Sequence, residues 1–136
     1  MKTKFLLTTA LVFAGVSIFG VITAFQPKKP WIAPGNYINM KNAVPSNAES
    51  IANGKSLWGT HCKSCHGNKG LGDGSKAAQL KTDPGNFSLA EEQKEPDGSF
   101  FYKISEGRDD MPSFKKKIPD QDDIWGLVNY IRTMKK

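Results

Sequence analysis

His61-Cys62-Lys63-Ser64-Cys65-His66-Gly67 is the stretch on which the fold turns. Two thiols stand three positions apart, a histidine follows the second directly, and the chain has 2 cysteines in all. An exported domain held by disulfides needs more sulfurs, spread along the sequence. A structural zinc site needs four ligands in a tetrahedron. His61, Cys62, Cys65 and His66 lie too close together to converge on one ion, and the chain offers no second ligand pair. A thioredoxin-like pair needs a strand-loop-helix setting in an α/β fold. The flanking sequence decides among these readings.

Upstream, Ser46-Asn47-Ala48-Glu49 fits a capping box, in which a serine oxygen takes one orphan amide and a glutamate reaches back to another. A helix is predicted from there to about Thr60, with Ile51, Gly54 and Trp58 on one face. Glycine inside a helix costs about 1 kcal/mol relative to alanine, so Gly54 suggests that another backbone comes close.

Downstream, residues 67–86 are rich in Gly, Asp, Lys and Pro and read as loop, with one short helical turn near Lys76 to Leu80. A second helix fits Asp97 to Glu106, with Asp97 as N-cap, Phe100, Phe101 and Ile104 as the apolar face, and Gly107 to end it. The last helix follows Pro119 and Asp120. Asp122 and Asp123 sit at its positive dipole end, Ile124, Leu127, Val128 and Ile131 repeat at helical spacing, and Arg132, Lys135 and Lys136 crowd its C-terminus. No alternating strand pattern occurs, so the predicted class is all-α and the thioredoxin reading loses its setting.

In that context the two thiols have a better use. Each can add to one of two neighbouring vinyl groups of a haem, and the next residue, His66, is placed to ligate the iron from one face; the spacing is the attachment signature of c-type haem. A sixth ligand must come from elsewhere. Met40 lies before the domain and Met134 in the final turn, whereas Met111 lies between Gly107, which ends a helix, and Pro112, which disfavours helical geometry at the residue before it. A methionine on such a loop can project into a pocket, although methionines more commonly fill cores.

The chain resembles class I bacterial cytochromes c of the monohaem type. The resemblance rests on Cys62 to His66, the Gly-rich loop Gly67 to Gly74, the stretch Asp97 to Phe114 and the final amphipathic helix, and covers Ser46 to Lys136. It implies three to five helices wrapped around one covalently attached haem c. In that family the first and last helices cross closely, with a small residue and an aromatic on the first meeting aromatic and aliphatic residues on the last. Gly54 and Trp58 match the former, Leu127 and Tyr130 the latter. The resemblance further implies attachment at Cys62 and Cys65 and axial ligation by His66 and Met111. A backbone carbonyl often fixes the proximal histidine; the Gly-rich loop and Pro84 both offer one.

At the N-terminus, Lys2 and Lys4 precede an uncharged run from Phe5 to Phe25. It reads either as a cleaved signal peptide or as a retained anchor, being about 20 residues long against a bilayer core of about 30 Å. Both readings place the domain outside the cytoplasm, in the periplasm or on the periplasmic face of the inner membrane. The expected organisation is residues 1–25 as signal or membrane anchor, 26–45 as an extended linker or a strap on the domain, and 46–136 as the cytochrome c domain. The formal charge of +6 is moderate and mixed in sign, which speaks against nucleic acid.

With both axial positions filled, the expected function is electron transfer and not catalysis, between redox partner proteins that include membrane respiratory complexes. Two other classes stand beside a shuttle: a haem relay subunit of a larger dehydrogenase or oxidase, and a haem enzyme or gas sensor with an open sixth site. Lys115, Lys116 and Lys117 follow Met111 and would steer acidic partners if they ring the haem edge.

Overall fold

The computed structural model describes residues 30–136 and is helical, with no strand among the described residues. The expected signal or anchor at 1–25 lies outside the described residues. Within them, no helix is long and apolar enough to cross a membrane. Trp31–Lys136 packs as one compact unit.

Among the described residues, five α-helices carry the fold: α1 (Gly35–Ile38), α2 (Ala48–His61), α3 (Lys63–His66), α4 (Asp97–Glu106) and α5 (Gln121–Arg132). Single 3-10 turns at Ala77–Gln79 and Glu92–Lys94 punctuate the long connection between α3 and α4. The helix starts differ from the sequence expectation in two places. The box that opens α2 is one residue later: the Asn47 side chain accepts from the Ser50 amide at 2.9 Å, and the Ser50 hydroxyl accepts from the Asn47 amide at 3.2 Å. Asparagine followed three residues on by serine satisfies the same two orphan donors, so Ser46 and Glu49 are not needed. At α4 the N-cap is Pro96, without a side-chain cap bond. Asp97 instead turns its carboxylate to Arg132, 2.7 Å from Nε. Asp120 does cap α5, accepting from the Asp122 amide at 3.0 Å.

The core lies between α2, α4 and α5. Ile124, Leu127, Val128 and Ile131 are all buried, as their helical spacing requires, together with Trp58, Phe100, Phe101, Ile104, Phe114, Ile118 and Trp125. Phe101 lies against Trp125 with ring centroids 4.4 Å apart. The crossing of α2 and α5 is made by two glycines. A Cβ on Gly54 would run into the Gly126 carbonyl and the Tyr130 Cβ, and one on Gly126 would come to 3.2 Å of the Ser50 carbonyl oxygen. Gly126 was not singled out from the sequence, where Leu127 and Tyr130 stood for the α5 side. Tyr130 does meet Trp58 edge-on at 5.9 Å, and Leu127 is fully buried beside the crossing.

Residues 31–45 lie on the domain as a strap. Tyr37, Met40 and Val44 pack against the core, and Ala33 is buried. The strap is bolted to α5 through Asn129, whose side-chain amide donates to the Val44 carbonyl at 3.2 Å and to the Ser50 hydroxyl at 3.1 Å while its oxygen accepts from Asn42 at 2.8 Å. Its first residue, Trp31, lies under the Arg108 guanidinium at 4.7 Å, a cation–π arrangement.

Candidate functional site

Cys62, Cys65 and His66 share one turn. α2 ends at Cys62, whose amide still donates to the Trp58 carbonyl at 2.9 Å, and α3 continues at once, with the Cys65 and His66 amides both turned to the Cys62 carbonyl at 3.1 and 3.0 Å. The motif is thus rigid, and both sulfurs issue from a single helical turn. Gly67 stops that turn at φ +83°, a conformation that favours glycine, and its carbonyl accepts from the Trp58 indole at 3.0 Å.

The Gly-rich loop then folds back over the motif. The Gly72 amide donates to the His66 carbonyl at 2.9 Å, Gly74 to Cys65 at 3.2 Å and Lys76 to Ser64 at 2.8 Å. These bonds satisfy carbonyls that the end of a helix would leave open. Gly74 lies so close that a Cβ there would strike the backbone of Ser64 and Cys65.

The His66 ring is backed by Trp58, at a centroid distance of 5.6 Å, and by Phe87 at 5.3 Å. Burial holds its pKa below the usual imidazole value, and the backbone of Pro84 partly offsets this by hydrogen bonding. Proline has no N–H, so the group acting is its carbonyl, one of the two acceptors considered from the sequence. Nδ1 itself is buried with no hydrogen-bond partner at good geometry. A carbonyl thus lies within reach of the ring without the alignment of a full hydrogen bond. Cys62 is held as a neutral thiol: burial, then its neighbour Cys65, pushes its pKa up to about 12. Thioredoxin-like chemistry needs the opposite shift.

Met111 stands on a separate turn. Gly107, at φ +66°, ends α4 and packs so tightly on residues 111–113 that a Cβ would strike their backbone. Arg108 and Met111 then exchange backbone hydrogen bonds at 2.8 and 2.9 Å, with Asp109 between them at φ +53°. Past Met111, the Phe114 amide reaches back to the Ile104 carbonyl at 3.2 Å and the Ser113 hydroxyl to Ser105 at 2.6 Å. The Met111 side chain is half-buried against the same core cluster that Cys62 touches. Among the described residues, the other two methionines are occupied elsewhere. Met40 packs by Gly98 at the start of α4, and the Met134 sulfur packs on Gly70 beside Phe87, on the His66 side. His61, the spare histidine, is half-buried and meets Phe114 edge-on at 5.8 Å.

One contact that the sequence did not announce joins the two halves. The Asp110 carboxylate oxygen accepts from the Lys81 amide at 2.7 Å, the Thr82 amide at 3.0 Å and the Thr82 hydroxyl at 3.2 Å. These bonds, the Thr82 amide first, hold this exposed carboxyl below the usual range.

The residues fit a porphyrin iron. A half-buried imidazole with an unsatisfied Nδ1 and aromatic backing, on the same turn as two thiols, is suited to a metal bound at its other nitrogen. Among the described residues, no group of three or more His, Cys, Asp or Glu could hold a bare metal ion.

A helical shell with thiols and a histidine on one turn defines a c-type cytochrome. The family profile described as cytochrome c oxidase, cbb3-type, subunit III matches residues 49–131, more than half of the chain, and the chain belongs to that family. Among curated proteins no significant match is found. Among solved structures, the c-type cytochrome KustC0563 is 33% identical with a TM-score of 0.54, over 61% of this chain and 98% of that one. A chain of the Kuenenia stuttgartiensis reducing HAO-like protein complex Kustc0457/Kustc0458 superposes with a TM-score of 0.61 at 21% identity, over 82% of this chain. The present chain covers about half of that relative's length, 53%. Cytochrome cL of Methylophaga aminisulfidivorans MPT gives a TM-score of 0.50 at 23% identity, over 68% of this chain and 57% of that one. At that identity, the last two show the fold alone. The chain therefore carries a monohaem class I c-type cytochrome domain with covalently bound haem c as its cofactor, and such a domain implies haem-based electron transfer.

Proposed function

We propose that this cytochrome is an extracytoplasmic electron carrier whose haem c is bonded at Cys62 and Cys65 and held axially by His66 and Met111. The observation that carries the reading is the turn Cys62–His66, which presents two sulfurs and a half-buried imidazole together and leaves the ring's buried Nδ1 for a backbone acceptor. When bound, the group supplies one-electron chemistry at iron, with a thioether ligand favouring a raised potential. The chain's own residues do the rest. Trp58 and Phe87 fix the plane of the His66 ring. The Pro84 carbonyl is the acceptor available to Nδ1, and an imidazole so held becomes a more basic ligand. The Gly107–Phe114 turn offers the Met111 sulfur, which packs against a largely aromatic core.

The test is spectroscopic. The matured protein carries the mass of one haem and a Soret band. The oxidised form shows a weak sulfur-to-iron band that disappears in Met111→Ala, with a fall in potential and fast carbon monoxide binding by the reduced variant. Survival of the band in Met111→Ala removes that residue as ligand.

Export follows from the residues before the described domain, whose basic start and uncharged run suit a signal or an anchor. N-terminal sequencing of the native protein distinguishes them. A second reading, a relay within a larger complex, is favoured by one observation: the matching family is described as an oxidase subunit. Co-purification with a large membrane partner selects it over a free shuttle.

A further inference from the structure

We propose that Asp110 is the positioning residue for Met111, clamping the turn that carries the methionine to the loop that meets His66. The inference rests on the axial assignment made above. Its basis is geometric. One carboxylate oxygen gathers three donors from Lys81 and Thr82, residues far away in sequence. Asp110 directly precedes Met111, and Thr82 stands two residues before Pro84, whose carbonyl acts on the His66 ring. The clamp therefore ties the segment that carries Met111 to the loop that contacts the His66 ring. Hydrogen bonds to a charged acceptor are the stronger kind, and these three converge on one oxygen of a partly exposed turn.

The Met111 turn is anchored on its other flank. The Arg108–Met111 backbone pair closes it from within, and Phe114 and Ser113 tie its exit to Ile104 and Ser105. Neither set reaches the His66 loop. Without Asp110 the turn keeps its shape but loses the three bonds that tie it to Lys81 and Thr82. The expected result is a sulfur that leaves the iron more readily, in a protein that still folds.

The experiment measures how fast imidazole displaces the sixth ligand of the oxidised holoprotein, followed by loss of the sulfur-to-iron band, together with the reduction potential. Asp110→Ala is expected to speed displacement by about tenfold or more, as befits the loss of charge-assisted bonds. Asp110→Asn keeps an acceptor without the charge and falls between. Thr82→Val, which loses only the hydroxyl bond, gives a smaller acceleration. Asn129→Ala breaks the strap's bonds to α5, away from the clamp, and sets the rate that general loosening produces.

The proposal is overturned if Asp110→Ala accelerates displacement no more than Asn129→Ala does. Should Asp110→Ala fail to mature, wild-type rates in both Asp110→Asn and Thr82→Val overturn it equally. Failure of the axial assignment reads out separately, as a band that persists in Met111→Ala.

Discussion

Trp58 shows how much one side chain does here. Its indole donates to the Gly67 carbonyl, its face lies against His66 and Phe87, and its edge meets Tyr130. Trp58→Phe keeps much of the apolar body but removes the indole bond, leaving the Gly67 carbonyl only the long bond from the Gly70 amide at 3.4 Å, a loss of about 1 kcal/mol. We expect a lower urea midpoint at unchanged slope, and a measurable change in potential because the ring backing His66 moves. A potential identical to wild type would mean that Trp58 supports the fold without orienting the imidazole. The sequence made Cys62, Cys65 and His66 legible because covalent chemistry demands a fixed spacing. It hid Asp110, since a carboxylate among Arg108, Asp109 and Asp110 looks like ordinary solvated surface until its partners at Lys81 and Thr82 are known. Met111 stood between: the glycine before it and the proline after it marked a loop, but only the haem motif upstream makes it the proposed ligand.

Among the elements, helix bodies were readable and their starts were not. The apolar repeat on α5 and the face of α4 follow from the 3.6-residue period, and each matches burial in the structure. Caps depend on which of several adjacent Ser, Asn and Asp side chains turns inward, and periodicity does not say; hence the one-residue shift at α2 and the turning of Asp97 to Arg132. The crossing of α2 with α5 was half legible. Gly54 signalled a close approach, but its counterpart, Gly126, lay unnoticed between Trp125 and Leu127. Gly54→Ala tests the crossing. Alanine gains about 1 kcal/mol of helix propensity, while its Cβ meets a backbone carbonyl that has no room to yield. Overpacking of this kind costs about 1–3 kcal/mol, so the net effect is destabilising, read as a lower thermal midpoint. Gly126→Ala, facing a looser 3.2 Å contact, costs less.

For the molecule as a whole, charge governs encounter more than fold. The lysines after Met111 are less free than their sequence suggests. Lys115 is paired with Glu106, and the Lys117 ammonium lies over the Phe114 ring at 5.6 Å. Steering of an acidic partner therefore draws on a reduced local charge. We expect electron-transfer rates with such a partner to fall with ionic strength but modestly, since screening acts over about 8 Å at physiological salt. Rates independent of salt would remove these lysines from the docking face. The strap is the feature of whole-molecule organisation that composition concealed. Its prolines read equally well as a free tether, and the Asn129 network, the Trp31–Arg108 contact and the packing of Tyr37, Met40 and Val44 on the core show it fastened down.

The glycine-on-glycine crossing has one more consequence. It joins the earliest long helix to the last, so the two extremities of the domain grip each other while the exposed stretch around Leu89 and Ala90 merely bridges between them. A protease that nicks that bridge leaves two interlocked pieces, which travel as one body through a sizing column and part only in denaturant.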